Sequence, residues 1–531
     1  MEAEALAAEI EAQVQEWSSN SNDCFTVELK RGDGSIAASF QPDFTYPIFG
    51  EEEAIFGYQD LDINLSFAAH NLKPHLTISY EKKFPAQGEV KPTDIHEALR
   101  DFLPDVAFSS LSTDEALQDD DAADFTPPGD KIHEYSRGGD KYEVWCASLS
   151  DPAAKELLEN MQILVPMFIE GGSTLQIEQD WTTQRWKLYL LYHVQSDDSS
   201  PSSSPYSLTG YGTSYRVFTF PDRSKPLQAD LNVFLPSTQS VLDFLPPLES
   251  AVPNDFTPTA YPNNISSPLD LPSRERLSQF LVLPSFQHGG HGQELYHAMY
   301  THLTKPSNIR ELTVEDPNES FDDLRDLCDL LHLRAHVPEF AALRINTDIT
   351  SANLTASEAI PTSLIIPTEI RDAIRTTTKI MPRQLDRLIE MHTLSFIPPL
   401  HRSRSRITRK EKASNPLDRM YYFWRLYVKE RLYIFNRDQL VQVEREERFE
   451  KLESAVDAVV EGYVKVLEKV EERERRGFGV ANGEAEVVEG ASQKGRERKR
   501  KVVVDDDEEE DEDDAEGQNG IVNGHKKPRT G

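Results

Sequence analysis

The stretch Phe280-Leu281-Val282-Leu283-Pro284-Ser285-Phe286-Gln287-His288-Gly289-Gly290-His291-Gly292-Gln293 decides the fold. An apolar run ends at a proline, a Gln-x-x-Gly-x-Gly loop follows, and then Leu295, Met299 and Leu303 recur four apart. This order predicts a strand, a glycine loop and the start of a helix. Glycines let the backbone approach a ligand closely, and the first N–H groups of a helix carry partial positive charge. The stretch therefore predicts a cradle for a diphosphate.

Features that are missing from this stretch indicate which diphosphate ligand it fits. It has neither the second glycine nor the downstream context of a dinucleotide fold, and it has no Lys-Ser/Thr pair of a P-loop. The pattern fits the pyrophosphate of coenzyme A better. An ordinary tight turn is the alternative, since two glycines near a helix start occur often by chance.

A second motif spans residues 309–319. Its first part predicts a short strand, and its second part opens a helix with Asp316 as N-cap, Pro317 at the first helical position and Glu319 completing a capping box. Capping is a sufficient role for Asp316. Glu315 ends the strand, where side chains reach the ligand cleft of an open α/β sheet. We interpret Glu315 as a candidate general base; a surface salt bridge is the alternative.

Several segments in the same order along the chain resemble the catalytic subunits of the type B histone acetyltransferases. These belong to the GNAT-type acetyltransferases, which share the Gln/Arg-x-x-Gly-x-Gly/Ala loop. The resemblance runs from about residue 24 to about 470 and is carried by residues 48–58, 168–173, 210–222, 277–292 and 312–319. It implies an α+β fold: an N-terminal mixed α/β domain, a central GNAT acetyltransferase fold with a mixed sheet, a C-terminal helical domain and a disordered tail.

The resemblance also assigns site residues. It implies that Glu315 is the general base, and Asp316 and Glu170 are secondary candidates, the latter after an apolar run, 164–169, that we predict to be a buried strand. The implied coenzyme contacts are Phe280, Leu281 and Val282 along the pantetheine arm, Gln287, His288, Gly289, Gly290, His291, Gly292 and Gln293 at the pyrophosphate, and Asn318. The implied histone contacts are Glu51, Glu52 and Glu53, and Tyr215, Arg216 and Val217. Arg216 and Val217 depart from the family's polar-aromatic pattern.

The function that follows is acetyl transfer from acetyl-CoA to lysine side chains of the tail of newly made, free histone H4. The family implies histone H4, with H3, and a WD-repeat propeller chaperone as partners, in cytoplasm and nucleus. One rival is an acetyltransferase of another protein or of protein N-termini, against which the acidic segment 51–53 argues. The other is an acidic histone chaperone with an inactive acetyltransferase fold, against which the intact loop and Glu315 argue.

Composition agrees with a basic substrate. The formal net charge is −35, and eleven acidic residues stand in 505–516, so the rest of the chain is acidic too. Such a protein repels nucleic acid and attracts basic partners, although solubility alone would also explain the charge. The cysteines Cys24, Cys146 and Cys328 have no zinc spacing, so we expect a reducing compartment and no metal. From the acidic first residues and the lack of any apolar run of about 18 residues we expect neither a signal peptide nor a membrane span.

The resemblance, together with charge and periodicity, divides the chain and implies the role of each part. We predict a histone-binding domain over 1–130, an acetyltransferase domain over 131–345 with a Pro/Ser-rich insertion at 223–275, helices over 346–476 and a disordered tail over 477–531. The tail carries the basic cluster Lys494–Lys501, which is of nuclear-import type. A heptad seam from Leu452 to Val470 indicates a partner surface or, equally, a helix packed on its own domain.

Overall fold

The computed structural model describes residues 15–86, 88, 90–176, 180–195, 203–219, 267–350, 353, 360–408 and 414–475. Most of the predicted insertion and the predicted tail, with its basic cluster, therefore lie outside the described residues. The insertion is shorter than predicted at its C-terminal end, because a strand already begins at Ser273. None of the helices in the described ranges is long and apolar enough to cross a membrane.

The molecule is built around a six-stranded sheet with the order β14-β13-β12-β11-β10-β9. Neighbouring strands in this sheet are antiparallel, except that β13 and β14 are parallel. A four-stranded sheet, β3-β2-β6-β7, and two strand pairs, β1-β4 and β5-β8, precede it along the chain. The strands are β1 Ser18–Asn20, β2 Phe25–Lys30, β3 Ile36–Phe40, β4 Ala54–Phe56, β5 Tyr58–Gln59, β6 Asp62–Ala68, β7 Pro74–Ser79, β8 Lys82–Lys83, β9 Asp130–Arg137, β10 Asp140–Ser148, β11 Trp186–Val194, β12 Tyr206–Phe218, β13 Ser273–Val282 and β14 Ile309–Val314.

Helices cover the sheet and complete the C-terminal part. They are α1 Tyr46–Phe49, α2 Ile95–Arg100, α3 Thr113–Leu117, α4 Pro152–Met161, α5 Leu164–Phe168, α6 Asp180–Thr183, α7 His291–Thr304, α8 Glu319–His336, α9 Pro338–Ala341, α10 Thr362–Ile365, α11 Thr368–Thr378, α12 Pro382–Ser395, α13 Arg404–Ile407, α14 Pro416–Phe435, α15 Arg437–Gln442 and α16 Arg445–Arg475. Mixed sheets followed by a helical C-terminal part confirm the predicted α+β class.

The six-stranded sheet separates two hydrophobic cores because side chains alternate along each strand. On β11, Tyr189 and Leu191 join the core formed with α7, α8 and the C-terminal helices, whereas Leu188, Leu190 and Tyr192 join the core formed with the N-terminal sheet and α4. All five are completely buried. A strand that is buried on both faces carries a nearly continuous apolar run, as the middle of β11 does.

The buried strand predicted at residues 164–169 is wrong. Residues Leu164–Phe168 form α5, and all five are buried. A short apolar run that is enclosed on every side has no periodicity that distinguishes strand from helix. Here the chain is already helical through α4, whose N-terminus is capped by the Asp151 side chain, and it resumes a helix only three residues later.

The predicted N-cap before α8 is also wrong. Asn318, not Asp316, caps the helix, and its side-chain oxygen accepts the N–H of Phe321 at 2.9 Å. Asp316 has φ +32°, so it makes the turn out of β14, and Pro317 precedes the cap. Two Asx residues two positions apart are both plausible caps in sequence, and the tight turn after β14 decides between them.

The heptad seam lies inside the protein. Val456, Tyr463, Val466 and Val470 on α16 are buried in the core shared with α8 and α14, and Leu452 and Val459 pack against it. The seam therefore serves as a helix face packed on its own domain.

A buried histidine in the same core makes folding pH-dependent. His392 on α12 is 2% exposed and lies against Phe340 and Phe396, with Arg334 donating to its Nδ1 atom at 3.3 Å. Burial, then the neighbouring Arg334 and Arg344, lower the pKa of His392 to about 3. The unfolded state, with an ordinary pKa of about 6.5, takes up the proton first, so this contribution to stability is lost as the pH falls below about 6.5.

We therefore expect the free energy of unfolding to decline from pH 7 to pH 5 less steeply in His392→Asn than in the parent, by about 2 kcal/mol in total over the two pH units. The Asn oxygen can still accept from Arg334 but does not titrate. Urea unfolding at the two pH values measures the slopes. Asp329, whose pKa burial raises to about 6, acts in the opposite direction but is common to both proteins. Equal slopes would contradict the assignment.

Candidate active site

The loop between β13 and α7 presents a row of unused backbone donors. Within the described residues, the N–H groups of residues 288–292 donate to no carbonyl, carboxylate or hydroxyl. Gly290 is the N-cap of α7, and no side chain caps this helix end. Five successive free donors at a helix N-terminus form an anion-binding concavity of the kind that holds phosphate groups.

The backbone of this loop requires its residue types. Gly290 has φ +83°, a conformation that favours glycine, and His288 also lies in the left-handed region at φ +62°. A Cβ on Gly292 would stand 3.3 Å from Leu324 and within 4 Å of Val282 and Phe280. These contacts keep the loop close to the end of β13, where the Gln287 amide also donates to the Val282 carbonyl at 3.0 Å.

The second half of β13 has an open edge. The pairing with β14 ends at Leu277 opposite Val314, and the Glu315 N–H donates to the Leu277 carbonyl at 2.9 Å. On the other side, Leu281 pairs with Tyr211, and the Leu283 N–H donates to β12. Backbone groups alternate along a strand, so those of Phe280 and Val282 point to the open edge. The edge runs from Glu315 to the glycine loop over about 13 Å.

Glu315 lies where the two strands part. It is half-buried, one residue beyond β14, and its two carboxylate oxygens accept from the Tyr215 hydroxyl at 2.9 Å and the Ser278 hydroxyl at 2.8 Å. Arg276 stands 3.7 Å away as a partly exposed ion pair. The surface salt bridge, which is the alternative interpretation of Glu315, therefore exists. It is only one of three contacts that fix the carboxylate.

Trp186 and Ser278 join this site although neither was predicted. Trp186 stacks on Tyr215 with ring centroids 4.6 Å apart and is directly opposite it in the β11–β12 register. Partial burial and the Glu315 carboxylate raise the pKa of Tyr215, so its hydroxyl remains a donor. The only sequence signal for Trp186 is an aromatic residue at the start of an otherwise apolar strand.

The other residues that follow β14 lie on the surface. Asp316 is exposed beside Glu315, and Asn318 is exposed at the start of α8. The Asn318 side-chain oxygen is used as a helix cap. A coenzyme contact would therefore fall to its amide nitrogen.

Glu170 lies in a segment that joins two parts of the protein. It is exposed after α5, the next N–H, that of Gly171, donates to the Tyr46 hydroxyl at 3.3 Å, and the Ser173 carbonyl accepts from the Gln279 amide of β13 at 3.1 Å. The structure thus places Glu170 between α1 and β13, rather than at the end of a strand.

The acidic segment after α1 divides into two kinds of residue. Glu51 and Glu52 are exposed. Glu53 is 7% exposed, has φ +49°, and its carboxylate accepts the Thr45 N–H at 3.0 Å. The resemblance implies that all three bind the peptide, but burial and this hydrogen bond give Glu53 a structural role in the turn.

Arg216 is also turned inward. Its guanidinium donates to the fully buried Glu275 carboxylate from Nε at 2.9 Å and Nη2 at 2.7 Å, and to the Leu269 carbonyl. Lys187 completes this buried cluster at 2.7 Å from Glu275. The Arg216 side chain therefore does not face a peptide, whereas Val217 is half-buried near the end of β12.

The described residues fit acetyl-CoA. The open edge of β13 offers donors and acceptors to the amides of a pantetheine arm, as an added strand would find them, and the glycine loop offers donors to a diphosphate. Among the described residues no group of three His, Cys, Asp or Glu side chains could hold a metal ion.

Comparison with known proteins gives the same assignment. The family described as "Histone acetyl transferase HAT1 N-terminus" matches residues 17–170. A protein of Aspergillus oryzae named histone acetyltransferase type B catalytic subunit is 40% identical over 475 residues, which cover 86% of this chain and 87% of the relative. Proteins of the same name are 39% identical in Emericella nidulans, over 87% of this chain and 91% of the relative, and 38% identical in Aspergillus fumigatus, over 87% and 78%.

Each of these relatives is at least 38% identical to this chain, and the match covers more than three quarters of both chains. The chain belongs to the family of type B histone acetyltransferase catalytic subunits.

Proposed function

We propose that this histone acetyltransferase transfers acetyl from acetyl-CoA to lysine side chains of the tail of newly synthesised, free histone H4, before its deposition into chromatin. The observation that carries the proposal is the position of the Glu315 carboxylate. It is held by Tyr215 and Ser278 at the point where β13 and β14 part, in line with the open strand edge and the glycine loop.

The coenzyme is held by the backbone in this proposal. Phe280 and Val282 bind the amides of the pantetheine arm, with Leu281 fixing the strand in the core, and the N–H groups of the loop bind the diphosphate. Gln287 and Gln293 bracket that loop, and Asn318 offers its amide nitrogen nearby. When bound, acetyl-CoA supplies the activated acetyl group as a thioester.

The main chemical task of the protein is to remove a proton from the substrate. A lysine amine has a pKa of about 10.4, so it is protonated at neutral pH and cannot attack a thioester. We assign the role of general base to Glu315, which accepts this proton directly or through a water molecule. Its two hydroxyl partners fix the orientation of the carboxylate. Asp316 and Glu170 remain secondary candidates.

The peptide surface is acidic and partly aromatic. Trp186 and Tyr215 form a stacked wall beside Glu315, on which the aliphatic part of a lysine side chain can pack. Glu51 and Glu52 are exposed, and Glu170 lies in a segment tied to α1 through Tyr46. Exposed carboxylates together with an aromatic wall suit the closely spaced lysines and arginines of a histone tail.

The assembly and location are further parts of the proposal. We infer that the enzyme works on H4 together with H3, with a WD-repeat propeller histone chaperone as its second subunit, in cytoplasm and nucleus. The support is family membership and the basic cluster Lys494–Lys501. The alternative is an acetyltransferase that acts on another protein. The activity of such an enzyme would not depend on the acidic segment 51–53.

We expect the double variant Glu51→Gln/Glu52→Gln to raise the KM for an H4-tail peptide about tenfold, because two exposed charges near a basic peptide are lost. The KM for acetyl-CoA should not change. Both KM values are obtained from steady-state rates with an H4-tail peptide, an H3-tail peptide and a peptide that has no charged residue other than its lysine. The matched control is Glu446→Gln/Glu447→Gln, which removes the same charge from the exposed start of α16.

The result separates the substrate classes. A preference for the H4 peptide that falls only in the first variant supports the proposal. If the peptide without other charges reacts as fast as the H4 peptide, and the variant has no effect, another protein substrate would be favoured.

A further inference from the structure

One strand of the sheet presents three polar side chains to the glycine loop. His133, Tyr135 and Arg137 alternate along β9 and therefore share a face. Each contacts the start of α7 or the loop before it. The His133 Nε2 atom is 3.2 Å from Glu294, the Tyr135 hydroxyl is 2.7 Å from the His291 Nδ1 atom, and Arg137 bonds to both Gly289 and Glu294.

Of these three side chains, Arg137 is the one that bonds to the backbone of the loop. Its Nη1 group donates to the Gly289 carbonyl, and its Nη2 group donates to the Glu294 carboxylate at 3.1 Å. A Cβ on Gly290 would overlap the guanidinium, so this glycine is needed for close approach as well as for its conformation. A planar fork with two directed donors suits such a bridge, and an ammonium group does not.

The bridge determines where a loop donor points. In a trans peptide the C=O and the following N–H lie in one plane and point in opposite directions. A Gly289 carbonyl that is held towards Arg137 therefore turns the Gly290 N–H away from β9, to the side where it has no acceptor in the described residues.

The remaining contacts of β9 hold the first turn of α7. His291 is buried between Tyr142 and the loop, and burial lowers its pKa to about 4, so the ring is neutral at physiological pH. Glu294 is a negative charge one turn from the cradle. Arg137 and His133 both bond to it, and Arg137 lies between this charge and the loop.

We propose that Arg137, anchored by Glu294, is a positioning residue for the coenzyme: it sets the Gly289–Gly290 peptide so that the loop receives the diphosphate. The inference rests on the proposed diphosphate site. It concerns a residue outside the glycine motif, on the strand farthest from β14 in the sheet order.

The test compares two acetyl donors, acetyl-CoA and acetyl-pantetheine, which lacks the diphosphate. We expect Arg137→Lys and Glu294→Gln each to raise the KM for acetyl-CoA about tenfold, since each removes a charge-assisted hydrogen bond. The kinetic constants with acetyl-pantetheine should match those of the parent, and kcat at saturating acetyl-CoA should change little. Calorimetry with coenzyme A should show the same loss of affinity. The control is Lys131→Met, a cation on the same strand that bonds to Glu134 and Glu143 instead.

The variants distinguish the bridge from simpler explanations. A direct charge contact with phosphate would leave Arg137→Lys nearly intact, and removal of the Glu294 charge would then tighten coenzyme binding; either result overturns the proposal. Equal losses with both donors would indicate a merely structural role and also overturn it. A parent enzyme that uses acetyl-pantetheine as well as acetyl-CoA would instead refute the diphosphate site itself.

Discussion

Replacement of Glu315 by Gln should lower kcat for histone acetylation by about 10²- to 10⁴-fold, the range for loss of a general base. The Gln side chain keeps the shape, and its oxygen can still accept from Tyr215 or Ser278. It cannot accept a proton from the lysine ammonium group. The KM for acetyl-CoA should be unchanged, because the glycine loop and the open edge of β13 are untouched.

The matched control is Glu311→Gln on β14, which removes a half-buried carboxylate that lies 4.0 Å from Arg274. Rates should be measured with free histone H4, and coenzyme binding by calorimetry. Transfer that survives in Glu315→Gln would keep the enzyme but move the base to Asp316 or Glu170.

Replacement of Arg431 by Met should destabilise the protein by about 3–5 kcal/mol, the range for breaking a buried ion pair. Arg431 donates to both oxygens of the fully buried Glu390 carboxylate, at 2.7 Å and 2.8 Å. The variant leaves that carboxylate with Tyr463, at 2.7 Å, as its remaining side-chain donor within the described residues. This cluster joins α12, α14 and α16.

Urea unfolding measures the effect, with Lys469→Met as the control. Lys469 forms an ion pair with Asp323 at 2.6 Å, but both side chains are half exposed, so its loss should cost at most about 1 kcal/mol. The second variant Glu390→Gln/Arg431→Met should recover part of the loss, because no buried charge remains unpaired. Equal stability of Arg431→Met and the parent would contradict the importance of this cluster.

Local spacing was enough to predict the parts of the fold and site that are contiguous in sequence. β13, the glycine loop and α7 follow one another, and each has its own signal: an apolar run that ends at a proline, paired glycines, and apolar residues four apart. Glu315 could be located because it ends a strand just before a helix. The heptad spacing of α16 was visible too, although the sequence did not show whether the seam faced a partner or its own core.

The features of the site that could not be predicted depend on contacts between residues that are distant in sequence. Trp186 reaches Tyr215 only through the β11–β12 register, and Ser278 reaches Glu315 only because β13 and β14 part at Leu277. The inward turn of Arg216 depends on Glu275, which is 59 residues away. The period of two in His133, Tyr135 and Arg137 is short and polar, so nothing in the sequence indicates that it faces a loop more than 150 residues later.

The free donors of residues 288–292 have a consequence for how the enzyme responds to metabolism. Their proposed ligand, the diphosphate, is present in acetyl-CoA and equally in the released product, coenzyme A. Binding energy gained there is shared by substrate and product and does not favour the transition state. Free coenzyme A should therefore compete for the same place, and histone acetylation by this enzyme should follow the ratio of acetylated to free coenzyme rather than the concentration of acetyl-CoA alone.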